Sequence, residues 1–334
     1  MDTIFFRMVG LGQLPVIARS AADHVRQPVE ISLVLDISGT MRYDRRLLNL
    51  QPAANAFIDS VMPEGSDPIT SVNLIPYAGQ VNPGPVVFEM LGGNRSHHKS
   101  SCPEFTDADF DGPGMPSAGS YGQVPHFHHW EIDRDWMDWG WCPSDDTAIT
   151  YMSNDAEALH TAINDIRLHD GTGTYNAMKW GLALLDPSAR PTIASLASAG
   201  IVDPAFANRP APWEDDRTLK FIVLMTDGQI TGQNRPDDPD DPRLDTLEVL
   251  DNRIPYTNVV NRGQGLNRFY GLCEMAHELG VTVFTIAFEA PGPAVVEMKR
   301  CASSLSHFYD VHGAGIDAAF RQIASTINKL KLVE

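Results

Sequence analysis

Two short apolar runs, each ending in an aspartate, constrain this chain more than any other feature. Val29-Glu-Ile-Ser-Leu-Val-Leu35 runs into Asp36, and Lys220-Phe-Ile-Val-Leu-Met-Thr226 runs into Asp227. Both are rich in branched residues and too short for a helix, as expected of strands buried on both faces of a parallel sheet. An aspartate at the carboxyl end of such a strand stands where open α/β sheets place their ligands. Helical spacing recurs between the strands. Leu47, Leu50, Ala54, Phe57, Ile58 and Val61 follow it up to Pro63, as do the segments 156–168, 176–185, 266–279 and 294–304. A last helix carries Ile316, Phe320, Ile323, Ile327 and Leu330 on one face. Further strands are expected at 70–76, 281–288 and 308–309, with Val86 to Met90 as another after the Asn82-Pro-Gly turn. This alternation predicts a doubly wound α/β fold, a mostly parallel sheet flanked by helices.

Two stretches interrupt the alternation and read as insertions. Residues 92–144 are rich in Gly, Pro, His, Asp and Trp, and residues 228–265 carry Arg235-Pro-Asp-Asp-Pro-Asp-Asp-Pro242, whose prolines bar a helix or a central strand. The expected division is a short β-rich segment at 1–28 and one α/β domain at 29–334 containing both insertions. The net charge of −18 would repel nucleic acid, so no nucleic-acid partner is expected. No run of 18 apolar residues occurs, so no membrane span is expected, and Met1 to Gly10 lacks the basic start and apolar run of a signal peptide.

Asp36-Ile-Ser38-Gly39-Thr40 can turn one carboxylate and two hydroxyls into a single loop, the outline of a hard-cation site. Alone, the pattern reads equally well as a Ser or Thr opening a helix. Asp170-Gly-Thr172, at the start of a helix, and Met225-Thr-Asp227-Gly228, at the end of the second strand, extend it. The three together resemble, in order and spacing, the metal-ion-dependent adhesion site of von Willebrand factor A domains. Asp36, Ser38 and Thr40 fall on the first motif, Thr172 on the threonine of the second, and Asp227 on the aspartate of the third. Thr40 stands where serine is more usual and keeps the hydroxyl. The resemblance implies direct ligation of Mg²⁺, or Mn²⁺, by the hydroxyls of Ser38, Thr40 and Thr172, with the two aspartates acting mostly through water.

The segment Phe6 to Ala22, Cys142-Pro143, Trp180-Gly181 followed by Leu185-Asp-Pro187, Leu272-Cys273 and Cys301-Ala-Ser303 are similar to TadG-like pilus assembly proteins of tight-adherence, Flp-type systems, over about Phe5 to Leu332. That resemblance implies a periplasmic or cell-surface location, or secretion, and a pilin-like or surface partner. Such proteins usually carry an N-terminal membrane helix, which is not among these residues.

Three neutral hydroxyls plus water leave Mg²⁺ under-neutralised, with a position that a partner's carboxylate can fill. The expected function is therefore protein binding through a shared metal, in adhesion or pilus assembly, and not enzymatic. A metal-dependent enzyme and a structural scaffold with an unused metal site are the alternatives. No Gly-x-Ser-x-Gly elbow, Walker loop or His-Glu-x-x-His is present.

Asp107-Ala-Asp109-Phe-Asp111-Gly112 matches the opening half of an EF-hand loop and is a second candidate cation site, for Ca²⁺, although Ala118 takes the place of the closing glutamate. His97, His98, His126, His128 and His129 crowd the first insertion together with Trp130, Trp136, Trp139 and Trp141. Metal-binding imidazoles, an aromatic partner surface and plain local packing are all open readings. The four cysteines show no Cys-x-x-Cys spacing and allow three pairings. Locality favours Cys102 with Cys142 and Cys273 with Cys301, because each pair then brackets one segment. Closing loops of this size constrains the unfolded chain by roughly 3.5 to 4 kcal/mol each in the chain-entropy model, and such bonds persist in an oxidising compartment.

Overall fold

A computed structural model describes residues 25–63, 69–129, 140–250 and 252–333. The strands of its central sheet are β1 (Val29–Asp36), β2 (Thr70–Tyr77), β3 (Thr150–Ser153), β4 (Leu219–Thr226) and, beyond a separate hairpin of β5 (Gln233–Pro236) and β6 (Tyr256–Val260), β7 (Thr282–Phe288) and β8 (Phe308–Val311). In space they lie in the order β8-β7-β4-β1-β2-β3. All neighbours are parallel except β3, which runs antiparallel to β2 at one edge. The chain winds outward from β1 to β2 and β3, then returns to pair β4 with the other side of β1. That reversal opens a crevice beyond the carboxyl ends of β1 and β4, where ligands of such sheets bind.

The helices are α1 (Arg46–Val61), α2 (Gly84–Met90), α3 (Ala156–Asn164), α4 (Thr174–Ala183), α5 (Arg190–Ser198), α6 (Arg262–Glu278), α7 (Gly292–Cys301) and α8 (Gly315–Lys331). Successive side chains of a strand point to opposite faces, and the two cores follow from that alternation. Leu33 and Leu35 of β1 pack with Phe57 of α1, Leu159 of α3 and Phe320 of α8 on one face. Val34, between them in sequence, packs with Trp180 of α4 and Phe269 of α6 on the other. At the amino end of β1 the fully buried Glu30 carboxylate is held by Arg209 at 2.9 Å and Lys220 at 3.0 Å.

The structure bears out the α/β architecture and corrects one element of it. Val86 to Met90, expected as a strand, belongs to helix α2. Gly84 takes φ +81° and donates its N–H to the Asn82 side-chain oxygen at 2.7 Å, turning the chain into the helix. Val87, Phe88 and Leu91 are then buried while Val86 and Met90 are exposed, a spacing that a five-residue apolar run does not separate from a strand's. The edge strand β3 and helix α5 were not expected. Of the N-terminal segment 1–28, residues 1–24 lie outside the described residues, and Val25–Arg26 pairs antiparallel with Leu332–Val333.

Helix α1 delivers residues to the crevice, so its seating matters. Phe57 and Phe320 meet with ring centroids 5.7 Å apart, both fully buried. Phe57→Ala is expected to cost about 3 to 5 kcal/mol in denaturant unfolding, with a coupling to Phe320→Ala of roughly 0.5 to 1.5 kcal/mol. Strictly additive losses in the double mutant would contradict direct packing of the two rings.

Candidate functional site

Because β1 and β4 are neighbours in register, Asp36 at the end of one and Asp227 just after the other emerge side by side in the crevice. Both are buried. Asp36 Oδ1 accepts the Ser38 N–H at 2.7 Å, which bends the chain sharply after β1. Its Oδ2 accepts the hydroxyl of Thr226 at 2.6 Å and, at 3.4 Å, that of Tyr77. The turn presents Ser38 Oγ and Thr40 Oγ1, 3.1 Å apart, to Asp227 Oδ1, which accepts from Thr40 at 2.8 Å and from Ser38 at 3.5 Å.

Thr172 comes from the loop before α4. Gly171 takes φ +78°, and a Cβ on Gly173 would sit 2.0 Å from the Gly79 carbonyl oxygen. Only glycine at both positions lets this loop press against β2's continuation. Thr172 exchanges backbone and side-chain hydrogen bonds with Thr231 at 3.0 Å, and its hydroxyl and that of Thr40 lie 3.4 and 3.7 Å from where a Cβ on Gly228 would be. The structure therefore brings together Asp36, Ser38, Thr40, Thr172 and Asp227, from three separate segments.

This donor set fits a small hard cation. Adjacent ligands of an octahedral ion with about 2.1 Å bonds are about 3 Å apart, the separation seen between the Ser38 and Thr40 oxygens. The electrostatics fit as well. Burial, followed by the charge of Asp227, pushes the Asp36 carboxyl up to about 7. Burial also raises Asp227, opposed by hydrogen bonds from Arg46, Thr40 and Ser38. Burial and the Asp36 charge lift the Tyr77 phenol well above its ordinary range, so it remains a donor. A positive charge is what such a pair of carboxylates lacks. Arg46, the first residue of α1, supplies one, with Nη1 2.6 Å from Asp227 Oδ2.

The oxygens lie on the floor of an open cleft of about 780 Å³, walled by Tyr43, His129, Trp141, Leu250, Asn258 and Glu289. Both insertions build this wall. Val249 N donates to the His128 carbonyl at 2.9 Å, and Phe127, Trp141, Leu244, Val249 and Ile254 form a small core beneath the rim. The His129 N–H donates to Asp170 Oδ2 at 3.3 Å, fastening the first insertion to the second motif. The disulfide Cys102–Cys142 closes that insertion next to Trp141, and Cys273–Cys301 joins α6 to the end of α7, both as locality predicts.

The other sequence candidates are not gathered into sites. Among the described residues no three His, Cys, Asp or Glu side chains are grouped to hold a metal. Asp109 caps a short 3₁₀ turn through Thr106 and accepts the Tyr121 hydroxyl at 2.5 Å, Asp107 pairs with Arg268, and Asp111 ends the turn. His97, His126 and His128 lie in successive ring contact, and burial lowers all three so that they are neutral at pH 7. Of the tryptophans, Trp141 is buried at the cleft wall, while Trp130, Trp136 and Trp139 lie outside the described residues. Sequence reasoning missed Arg46, Tyr77, Thr226 and the buried His169, whose N–H donates to the Ile37 carbonyl at 3.0 Å. Of these, His169 and Thr226 carried a signal, each standing next to a motif aspartate, Asp170 and Asp227.

No protein-family model and no curated protein matches the chain. Among solved structures, it superposes on the von Willebrand factor domain of the type V pili tip protein Mfa5 from Porphyromonas gingivalis with a TM-score of 0.52 at 15% identity, over 93% of this chain and 98% of that one. The fold is that of a von Willebrand factor A domain. Similarity extends to the pilus adhesin SpaC from Lactobacillus rhamnosus GG, with a TM-score of 0.48 at 15% identity, covering 91% of this chain and 31% of that one. It extends also to proximal thread matrix protein 1 from the mussel byssus, with a zinc-occupied MIDAS motif, at a TM-score of 0.42 and 11% identity over 92% and 46% of the two chains.

For an A-domain floor of this composition, ligand-linked stability is the direct check. Saturating Mg²⁺ or Mn²⁺ is expected to raise the melting temperature over that in EDTA, by about 2.7 kcal/mol of stability at a hundredfold excess over Kd. Asp36→Asn is expected to remove that gain while leaving the melting temperature in EDTA at or above the parent's, since one of two facing charges is gone. An unchanged parent melting curve across Mg²⁺, Mn²⁺ and EDTA would refute a cation site.

Proposed function

We propose that this protein is an extracytoplasmic binding module that holds a divalent cation, Mg²⁺ or Mn²⁺, and uses it to capture a carboxylate offered by a protein partner, in pilus assembly or surface adhesion. The observation that carries the reading is the convergence of the Ser38, Thr40 and Thr172 hydroxyls with the buried Asp227 carboxylate on the floor of an open cleft. In this reading the three hydroxyls bind the ion directly, and Asp36 and Asp227 act mostly through water. The bound ion supplies a local positive charge at an unfilled coordination position, which an acidic group can occupy.

The chain's net charge of −18 opposes an acidic partner at long range, so attraction has to come from the ion itself. Selectivity comes from the wall, where exposed Tyr43 and Leu250 and the edge of Trp141 offer apolar contacts. Two disulfides among the described residues support folding in an oxidising compartment. The similarity to a pilus tip domain supports a pilus or surface setting, and the flanking resemblance to TadG-like proteins favours tight-adherence pili.

Binding of pilin-like or surface proteins from the native host to the immobilised protein is expected to vanish in EDTA and return with Mg²⁺. Thr172→Ala is expected to weaken it by roughly tenfold or more, since even outer-shell partners of a metal are worth 10- to 100-fold. Capture that survives both EDTA and Thr172→Ala would show that partners bind elsewhere.

A further inference from the structure

The proposed cation position already has a positive charge beside it that belongs to the protein. Arg46 Nη1 lies 2.6 Å from Asp227 Oδ2, while the other oxygen of the same carboxylate takes the Thr40 hydroxyl. One fully buried carboxylate thus serves both the guanidinium and the hydroxyl pair that would hold the ion. When both are ionised, Asp36 and Asp227 together carry two negative charges. One guanidinium neutralises half of that, a divalent ion neutralises all of it, and the two together over-neutralise a half-enclosed cleft.

The guanidinium is held at a structural cost. Arg46 Nε is buried with no hydrogen-bond partner among the described residues. Of the two residues that precede it, Asp44 and Arg45, at φ +49° and +59°, Arg45 holds a left-handed conformation that residues other than glycine, Asn and Asp seldom adopt. These two residues join the Ser38–Thr40 turn to α1, so the strain lies in the connection that delivers Arg46 to Asp227. An exit is present as well. Arg46 lines the open cleft, its Nη2 is already 3.4 Å from the exposed Asp44 carboxylate, and its charge reaches Glu289 on the rim.

We propose that Arg46 is an internal competitor for the cation: its guanidinium neutralises Asp227 when no metal is bound, yields when a divalent ion enters, and so sets the threshold concentration at which the site loads. This rests on the cation reading above. The apparent affinity of a site that is blocked by its own side chain falls by the fraction of molecules in which it is open. Removing the guanidinium therefore has two effects of opposite sign, tighter metal binding and a less stable metal-free protein, a combination that loss of packing alone does not give.

Arg46→Met, which keeps most of the stem, and Arg46→Gln, as a second variant in case the first fails to fold, are compared with the parent and Asp36→Asn. Mn²⁺ and Mg²⁺ are titrated calorimetrically into EDTA-stripped, desalted protein, and melting temperatures are read in EDTA. The expected result is a Mn²⁺ dissociation constant tightened on the order of tenfold in either neutral variant, a lower melting temperature in EDTA, and a parent-like constant in Arg46→Lys. Parent binding with an equal or weaker constant in the neutral variants overturns the competitor role and leaves the cation reading standing. Absence of binding in the parent and in both neutral variants removes the cation reading, and this inference with it. Binding in the neutral variants alone supports the competitor role in its strongest form.

Discussion

Two buried carboxylates of like charge stand at the ends of neighbouring strands, and the rest of the site follows from keeping them there. The parallel register of β1 and β4 places Asp36 and Asp227 together, and burial removes the water that would otherwise screen them. Each is answered by a ring of donors: the Ser38 N–H and the Thr226 hydroxyl for Asp36, the Thr40 hydroxyl and the Arg46 guanidinium for Asp227. The hydroxyls and the N–H spread the charge without cancelling it, and the guanidinium offsets one of the two charges.

The insertions turn that floor into a cleft. They meet over the motif loops, tied by the His128–Val249 backbone bond, the His129–Asp170 contact and a small apolar cluster around Trp141. The cleft is thereby built from two parts of the chain with different physical character. The sheet ends provide oxygen atoms at fixed spacing, and the irregular segments provide shape, as expected of loops carried on a rigid scaffold.

The central strands were legible because burial on both faces leaves an uninterrupted apolar run; the five candidate site residues were picked out by the resemblance of three separated motifs to an adhesion site, and the sheet brings those motifs together at one end. Pairing of the cysteines followed from locality alone. What was illegible is equally physical. The edge strand β3 is four residues long, joins β2 through an irregular register and contains Met152 at φ +37°, so no alternation marks it. Helix α2 is seven residues, too short for its period to speak against a strand. Arg46 reads in sequence as an ordinary first-turn residue of α1, and only the unusual backbone of Asp44 and Arg45 carries its side chain into the crevice.

The chain enters and leaves the described fold side by side. Val25–Arg26 pairs with Leu332–Val333, and Gln27 N donates to the Lys331 carbonyl at 3.0 Å, at the foot of β1. The oxygen floor lies at the head of the same strand, eight residues on. Traction between something held in the cleft and the foot of the domain therefore runs lengthwise through β1, which is laddered to β2 on one side and β4 on the other. Force in that direction loads the two ladders in shear, with their hydrogen bonds resisting together and not peeling one after another. The topology that places the carboxylates also makes β1 the tension-bearing member of the domain.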